Sequence, residues 1–132
     1  MKKALGLLVA VALMLLVPAA TASAADVYEG YNKVGKVTRS GDRYDVYSGY
    51  DRIGYVKRSG SSWTVYEGYS RVGDVRLSGS RWNIYSGYNN VGSVRRSGSR
   101  WNVYADYSAV GSVRGPITGG PAGGAALLLL LG

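Results

Sequence analysis

The chain has 132 residues, 16 basic against 8 acidic side chains, a formal charge of +8, and neither histidine nor cysteine. Those two absences exclude Ser-His and Cys-His nucleophile systems, most zinc sites and every disulfide. Twenty glycines and twelve tyrosines in so short a chain point instead to repeated turns and aromatic strands.

Residues 1–24 read as a secretory signal peptide. Met1-Lys2-Lys3 is a basic start, residues 4–17 are almost wholly apolar, and Ala22-Ser23-Ala24 supplies small residues for cleavage after Ala24. Without cysteine the segment is no lipoprotein signal. The expected destination is outside the cytoplasm, in the periplasm, on the cell surface or in the medium, and the leader is set aside as a signal helix.

Residues 25–114 hold one 19-residue phrase written almost five times, beginning at Val27, Val46, Val65, Ile84 and Val103. The first four copies keep register without insertion or deletion. A strict period means equivalent units, each too small to bury a core alone. Each unit reads as a β-hairpin: β-branched and aromatic residues alternate between Gly-containing turns too closely spaced for a helix. The expected strands are 26–29/34–39, 43–48/53–58, 62–67/72–77, 81–86/91–96 and 100–105/110–114. The fold class is therefore all-β, with ten short antiparallel strands in five repeated hairpins. A shallow symmetric closed barrel removes the bare edges of an open meander; an open solenoid of stacked hairpins is the competing arrangement.

Two columns per unit are aliphatic. Val27, Val46, Val65, Ile84 and Val103 share a face with Tyr44, Trp63, Trp82 and Trp101, two residues earlier, and the tyrosines at 28, 47, 66, 85 and 104 face the other way. In the second strand, the columns at 34 and 37 and their equivalents lie three residues apart. They reach one face only if the intervening glycine (35, 54, 73, 92, 111) makes a bulge.

Residues 115–132 form a Gly/Pro-rich linker and a hydrophobic tail whose apolar run, residues 125–131, is far short of the about 20 residues of a membrane helix. Three fates stay open for it: a plug inside the barrel, a shortened sorting signal resembling Leu-Pro-x-Thr-Gly or Gly-Gly tails, or a disordered end associating loosely with membrane.

With the hairpins, the recurring Gly-x-x-Val-Gly-x-Val pattern and the hydrophobic tail in view, residues 26–114 resemble the bacterial β-flower proteins. These are rotationally symmetric barrels of repeated hairpins, similar to the Tubby-like fold. The resemblance implies a five-fold member and, from Tubby-like barrels, a hydrophobic helix through the centre. It implies no activity. Gly60-Ser61-Ser62-Trp63, Gly79-Ser80-Arg81-Trp82 and Gly98-Ser99-Arg100-Trp101 also resemble the start of choline-binding cell-wall repeats, whose remaining elements are missing.

No catalytic residue, metal ligand or cofactor is expected. Glu29 and Glu67 share a repeat column, but Ser48 and Ser86 occupy the other copies, against a two-carboxylate glycosidase. Basic residues gather at the first turn (Lys33, Arg52, Arg71) and before the Ser-Gly turn, which closure would make two positive rims. The candidate ligand-binding residues are Trp63, Trp82, Trp101, Arg58, Arg76, Arg95 and Arg96. The expected function is a non-enzymatic, envelope-associated binding or structural module. Its expected partners are anionic lipid headgroups or a cell-wall polymer rather than nucleic acid, with membrane association through the tail. The alternative is a cell-wall carbohydrate-binding repeat protein using the tryptophans.

Overall fold

The computed structural model describes residues 23–132; the signal-peptide expectation for residues 1–22 lies outside the described residues. Ten antiparallel strands close into a barrel. They are β1 (Ser23–Glu29), β2 (Asn32–Ser40), β3 (Arg43–Ser48), β4 (Asp51–Ser59), β5 (Ser62–Glu67), β6 (Ser70–Ser78), β7 (Arg81–Ser86), β8 (Asn89–Ser97), β9 (Arg100–Ala105) and β10 (Ser108–Arg114). Each strand pairs with its sequence neighbours, and β1 meets β10 to finish the ring. β1 starts two residues before the expected domain boundary at 25, so Ser23 and Ala24 extend the first strand.

Every turn is a two-residue loop. Its first residue has positive φ and its second does not, the pattern of type II′ hairpins, whose twist suits the flanking strands. Glycine takes the first place in eight of them, at φ between 61° and 66°. Only in the last hairpin does another residue take it, Asp106 at φ 57°. The second strands are longer than expected because Asn32, Asp51, Ser70 and Asn89 already pair, leaving just Gly-Tyr as the loop.

The recurrent glycine does make a bulge. Register shifts between Val46 and Tyr47 opposite Gly54, and equivalently in all five hairpins. Val34, Ile53, Val72, Val91 and Val110 accordingly pack, half buried, against the same core as the fully buried Val37 column. That core is a ring of ten β-branched residues, all at 0% exposure. They pair across the hairpin junctions: Val37 with Val46, Val56 with Val65, Val75 with Ile84, Val94 with Val103, and Val27 with Val113 at the closure.

The tail runs inside this ring. Helix α1 (Gly119–Ala126) is buried at every residue and packs against β4 through β10. Its composition follows from the lumen. A Cβ at Gly119 or Gly120 would strike the indole of Trp82 or Trp63, and one at Gly123 would come within 2.8 Å of Val75 Cγ1. Seven of its eight residues are accordingly glycine or alanine. Pro121 sits in the first turn, where its missing N–H matters least.

Leu127–Leu131 then continue as a π-helical turn. Successive leucines reach successive hairpins: Leu127 lies against Gly73, Leu128 against Gly54, Leu129 against Gly35, Leu130 against Gly111 and Leu131 against Gly92. A five-fold ring asks for about 72° per residue, whereas an α-helix advances about 100°. The wider i→i+5 turn underwinds the segment toward the barrel's own symmetry.

Candidate functional site: a cationic mouth

The barrel has two ends, one formed by the Ser-Gly turns and the other by the Gly-Tyr turns. At the Ser-Gly mouth the inward tier is Tyr44, Trp63, Trp82 and Trp101, with Ala25 in the fifth place. The small Ala25 leaves room for the chain to leave β10 through Gly115 and cross into the lumen; a Cβ at Gly115 would meet Ala25 Cα at 2.7 Å. Ile117 is buried there, and Trp101 Nε1 donates a 2.9 Å hydrogen bond to its carbonyl. Tyr44 and Trp63 meet edge to face, ring centroids 5.8 Å apart. The three candidate tryptophans thus come together, but as the floor on which α1 stands: Trp101 is buried, and Trp63 and Trp82 are partly buried against the core.

Above this floor the charge is one-sided. On the rim, Arg39, Arg58 and Arg96 each donate Nε to the carbonyl of their own turn glycine, at 3.1–3.2 Å. This fixes each guanidinium while leaving its terminal nitrogens outward. Leu77 replaces arginine in the third copy and is 56% exposed. One residue further down, on the outer wall, Arg43 lies directly opposite Lys57, Arg81 opposite Arg95, and Arg100 opposite Arg114. With Arg76 that makes ten basic side chains at this mouth, against Asp42 in a turn, Asp26 opposite Arg114, and Asp45 and Asp74 bound to Arg43 and Arg76. Like charges facing each other across a ladder destabilise a sheet. Three such pairs stand on this wall, one of them relieved by Asp45 beside Arg43.

The four candidate arginines therefore divide. Arg58 and Arg96 stand on the rim beside the tryptophan floor, Arg96 with its guanidinium 5.6 Å from the Trp101 ring centre. Arg76 and Arg95 lie on the outer wall. Arg76 is tied at 2.7 Å to the buried Asp74, and this hydrogen bond, reinforced by the carboxylate's charge, raises its pKa above the ordinary arginine value. Arg95 lines a shallow depression of about 160 Å³ with Arg81, Ser93, Tyr104, Asp106 and Tyr107. Aromatic rings hold other cations in place: Arg114 sits 4.4 Å over Tyr28, and Arg43 and Arg52 flank Tyr55 at 5.2 and 5.3 Å. Asp45 is buried between the same two arginines, at 3.0 Å from Arg43 and 3.4 Å from Arg52. The Arg43 contact is an ion pair without hydrogen-bond geometry.

At the Gly-Tyr mouth the expected second positive rim is cancelled. Lys33, Arg52 and Arg71 stand among Glu29, Asp51, Glu67 and Asp106. Glu29 and Glu67 end strands of the first and third hairpins, with the second between them. Among the described residues no cluster of three or more His, Cys, Asp or Glu could hold a metal ion.

Sequence reasoning missed Arg43, Arg81 and Arg100, which follow the Ser-Gly turn and join the cationic mouth only through hairpin pairing. It also missed the tyrosines of the other mouth, although one stands in all five copies. Comparison with protein-family models, curated proteins and solved structures finds no match to this chain.

Proposed function

We propose that this protein is an exported, non-enzymatic module of the cell envelope, a five-fold β-flower barrel that holds a phosphate- or carboxylate-rich polyanion on its cationic mouth. The observation that carries the reading is the gathering of ten basic groups against four acids at a single end of the barrel, with the rim arginines Arg39, Arg58 and Arg96 bound to no carboxylate. The positive end of the α1 dipole adds to the same field. Anionic lipid headgroups and an anionic wall polymer offer the same chemistry, and both lie outside the cytoplasm. The carbohydrate alternative keeps one supporting observation, the partly exposed Trp63 opposite Arg58 and the partly exposed Trp82 opposite Leu77.

The test is sedimentation with anionic vesicles, neutral vesicles and purified wall polymer across a salt series. Each basic group near an anionic surface contributes about 1 kcal/mol. Replacing Arg39, Arg58 and Arg96 together by Gln should then weaken binding by about a hundredfold. High salt should release the wild type, because exposed charges are screened. Binding that ignores both salt and the triple substitution would refute the polyanion reading. Binding to neutral sugar polymer that is lost on Trp63→Ala and Trp82→Ala would favour the alternative.

A further inference from the structure

The two mouths use the same turn and fill it differently. After the positive-φ residue, the Ser-Gly turns place Asp42, Ser61, Ser80 and Ser99. The Gly-Tyr turns place Tyr31, Tyr50, Tyr69, Tyr88 and Tyr107. That position accepts nearly any residue, so turn geometry does not call for tyrosine. Nor does the fold: these five side chains are 87–101% exposed. They crown the end at which the half-buried leucines 128–131 meet the bulge glycines, and Tyr31, Tyr50 and Tyr88 line shallow depressions beside the half-buried Val110, Val34 and Val72. A monomeric protein of this size seldom leaves so much aromatic and aliphatic surface together.

We infer that the tyrosine mouth is a docking face for a second copy of the chain, crown against crown. Area supports this occupant. A tyrosine offers about 150–250 Å², so five on each copy amount to roughly 2,000 Å² over the pair, at the upper end of a standard stable interface. Charge supports it as well. The rim carries Arg71 and the half-exposed Lys33, the latter 3.1 Å from Asp26, among Glu29, Asp51, Glu67 and Asp106, and a two-fold axis can set these bases against the acids of the other copy. The same four carboxylates oppose an anionic bilayer. The cationic mouths point away from each other, separated by two barrel heights, about 40 Å, several screening lengths in physiological salt. The dimer then presents two cationic mouths on one axis. That bivalency, unlike the dimer itself, rests on the proposed reading of the cationic mouth.

The experiment measures mass by sedimentation velocity and light scattering on the exported chain over roughly 1–200 µM. Twice the chain mass is expected at the upper end. Tyr50→Ser, Tyr69→Ser and Tyr88→Ser combined should give a monomer with an unchanged melting temperature, since these side chains support nothing in the barrel. A variant carrying Lys33→Glu and Arg71→Glu should be monomeric alone. It should re-form a dimer with a variant carrying Glu29→Lys, Asp51→Lys and Glu67→Lys. A wild type monomeric throughout, or a dimer indifferent to the tyrosines, overturns the inference. So does tyrosine-dependent flotation of monomers with neutral phosphatidylcholine vesicles, which would assign the face to a bilayer. Polyanion binding by the tyrosine variant is read separately, so loss of the dimer and loss of the cationic-mouth function remain distinguishable.

Discussion

The wall and the plug of this barrel solve the same packing problem by opposite means. The wall repeats: each hairpin offers one buried valine or isoleucine per strand, one bulge glycine and one tight turn, and four more such turns join the hairpins. The plug repeats nothing in sequence, yet it must satisfy five equivalent partners at every level. It does so by being nearly featureless where the lumen is tight, as glycine and alanine, and by spending one leucine per hairpin where the lumen opens. Symmetry in the wall is thus matched by composition and helical pitch in the plug.

The sharpest way to break that partnership is to remove one side of it. Truncation after Gly115 deletes the buried Ile117, Ala122, Ala125, Ala126 and Leu127 and exposes the ring of ten β-branched residues to water. A barrel of some 90 residues has little stability to spare. The expected product shows no cooperative thermal transition and binds a hydrophobic dye. An unchanged melting curve would mean that the wall stands alone.

Smaller changes probe the fit. Gly124→Val puts branched carbon where even a Cβ would lie 2.8 Å from Val56 Cγ1, inside a lumen closed on all sides. Overpacking of this kind costs about 1–3 kcal/mol, read from denaturant melts. Trp101→Phe keeps the ring in the floor but leaves the Ile117 carbonyl without its donor. An unsatisfied buried acceptor costs about 1–3 kcal/mol, and the same change at the partly exposed Trp63 should cost less.

Much of the wall was legible in the sequence because period and turn chemistry are local signals. Gly at fixed spacing marked the turns of the first four hairpins, and a bulge was the one way to bring Val34 and Val37 to a common face. The destination of residues 119–131 was not legible, since glycine, alanine and leucine carry no pattern that names a partner; plug, sorting remnant and loose end read alike. The charge polarity was half legible. Arg58, Arg95 and Arg96 precede a turn and were grouped by that, whereas Arg81 and Arg100 follow it, and only strand pairing sets them beside Arg95 and Arg114. The tyrosine mouth escaped notice because a turn residue is usually judged by what the turn needs, and this turn needs only the glycine before it.

The smallest predicted effect tests that last distinction. In the fifth hairpin Asp106 occupies the left-handed position that glycine holds in the other four Gly-Tyr turns. A side chain there is strained by about 1–2 kcal/mol, less for aspartate, whose short polar group can bond locally. Glycine would relieve the strain but leave the unfolded chain freer, which offsets about 0.4–1 kcal/mol. Asp106→Gly should therefore stabilise by only about 0.5 kcal/mol, whereas Asp106→Ala, which keeps the strain and loses the polar group, should destabilise by about 1 kcal/mol. Paired melts of the two variants separate the possibilities by sign. Were alanine as stable as glycine, positive φ would not be what glycine supplies to these turns, and its recurrence at 30, 49, 68 and 87 would need another cause.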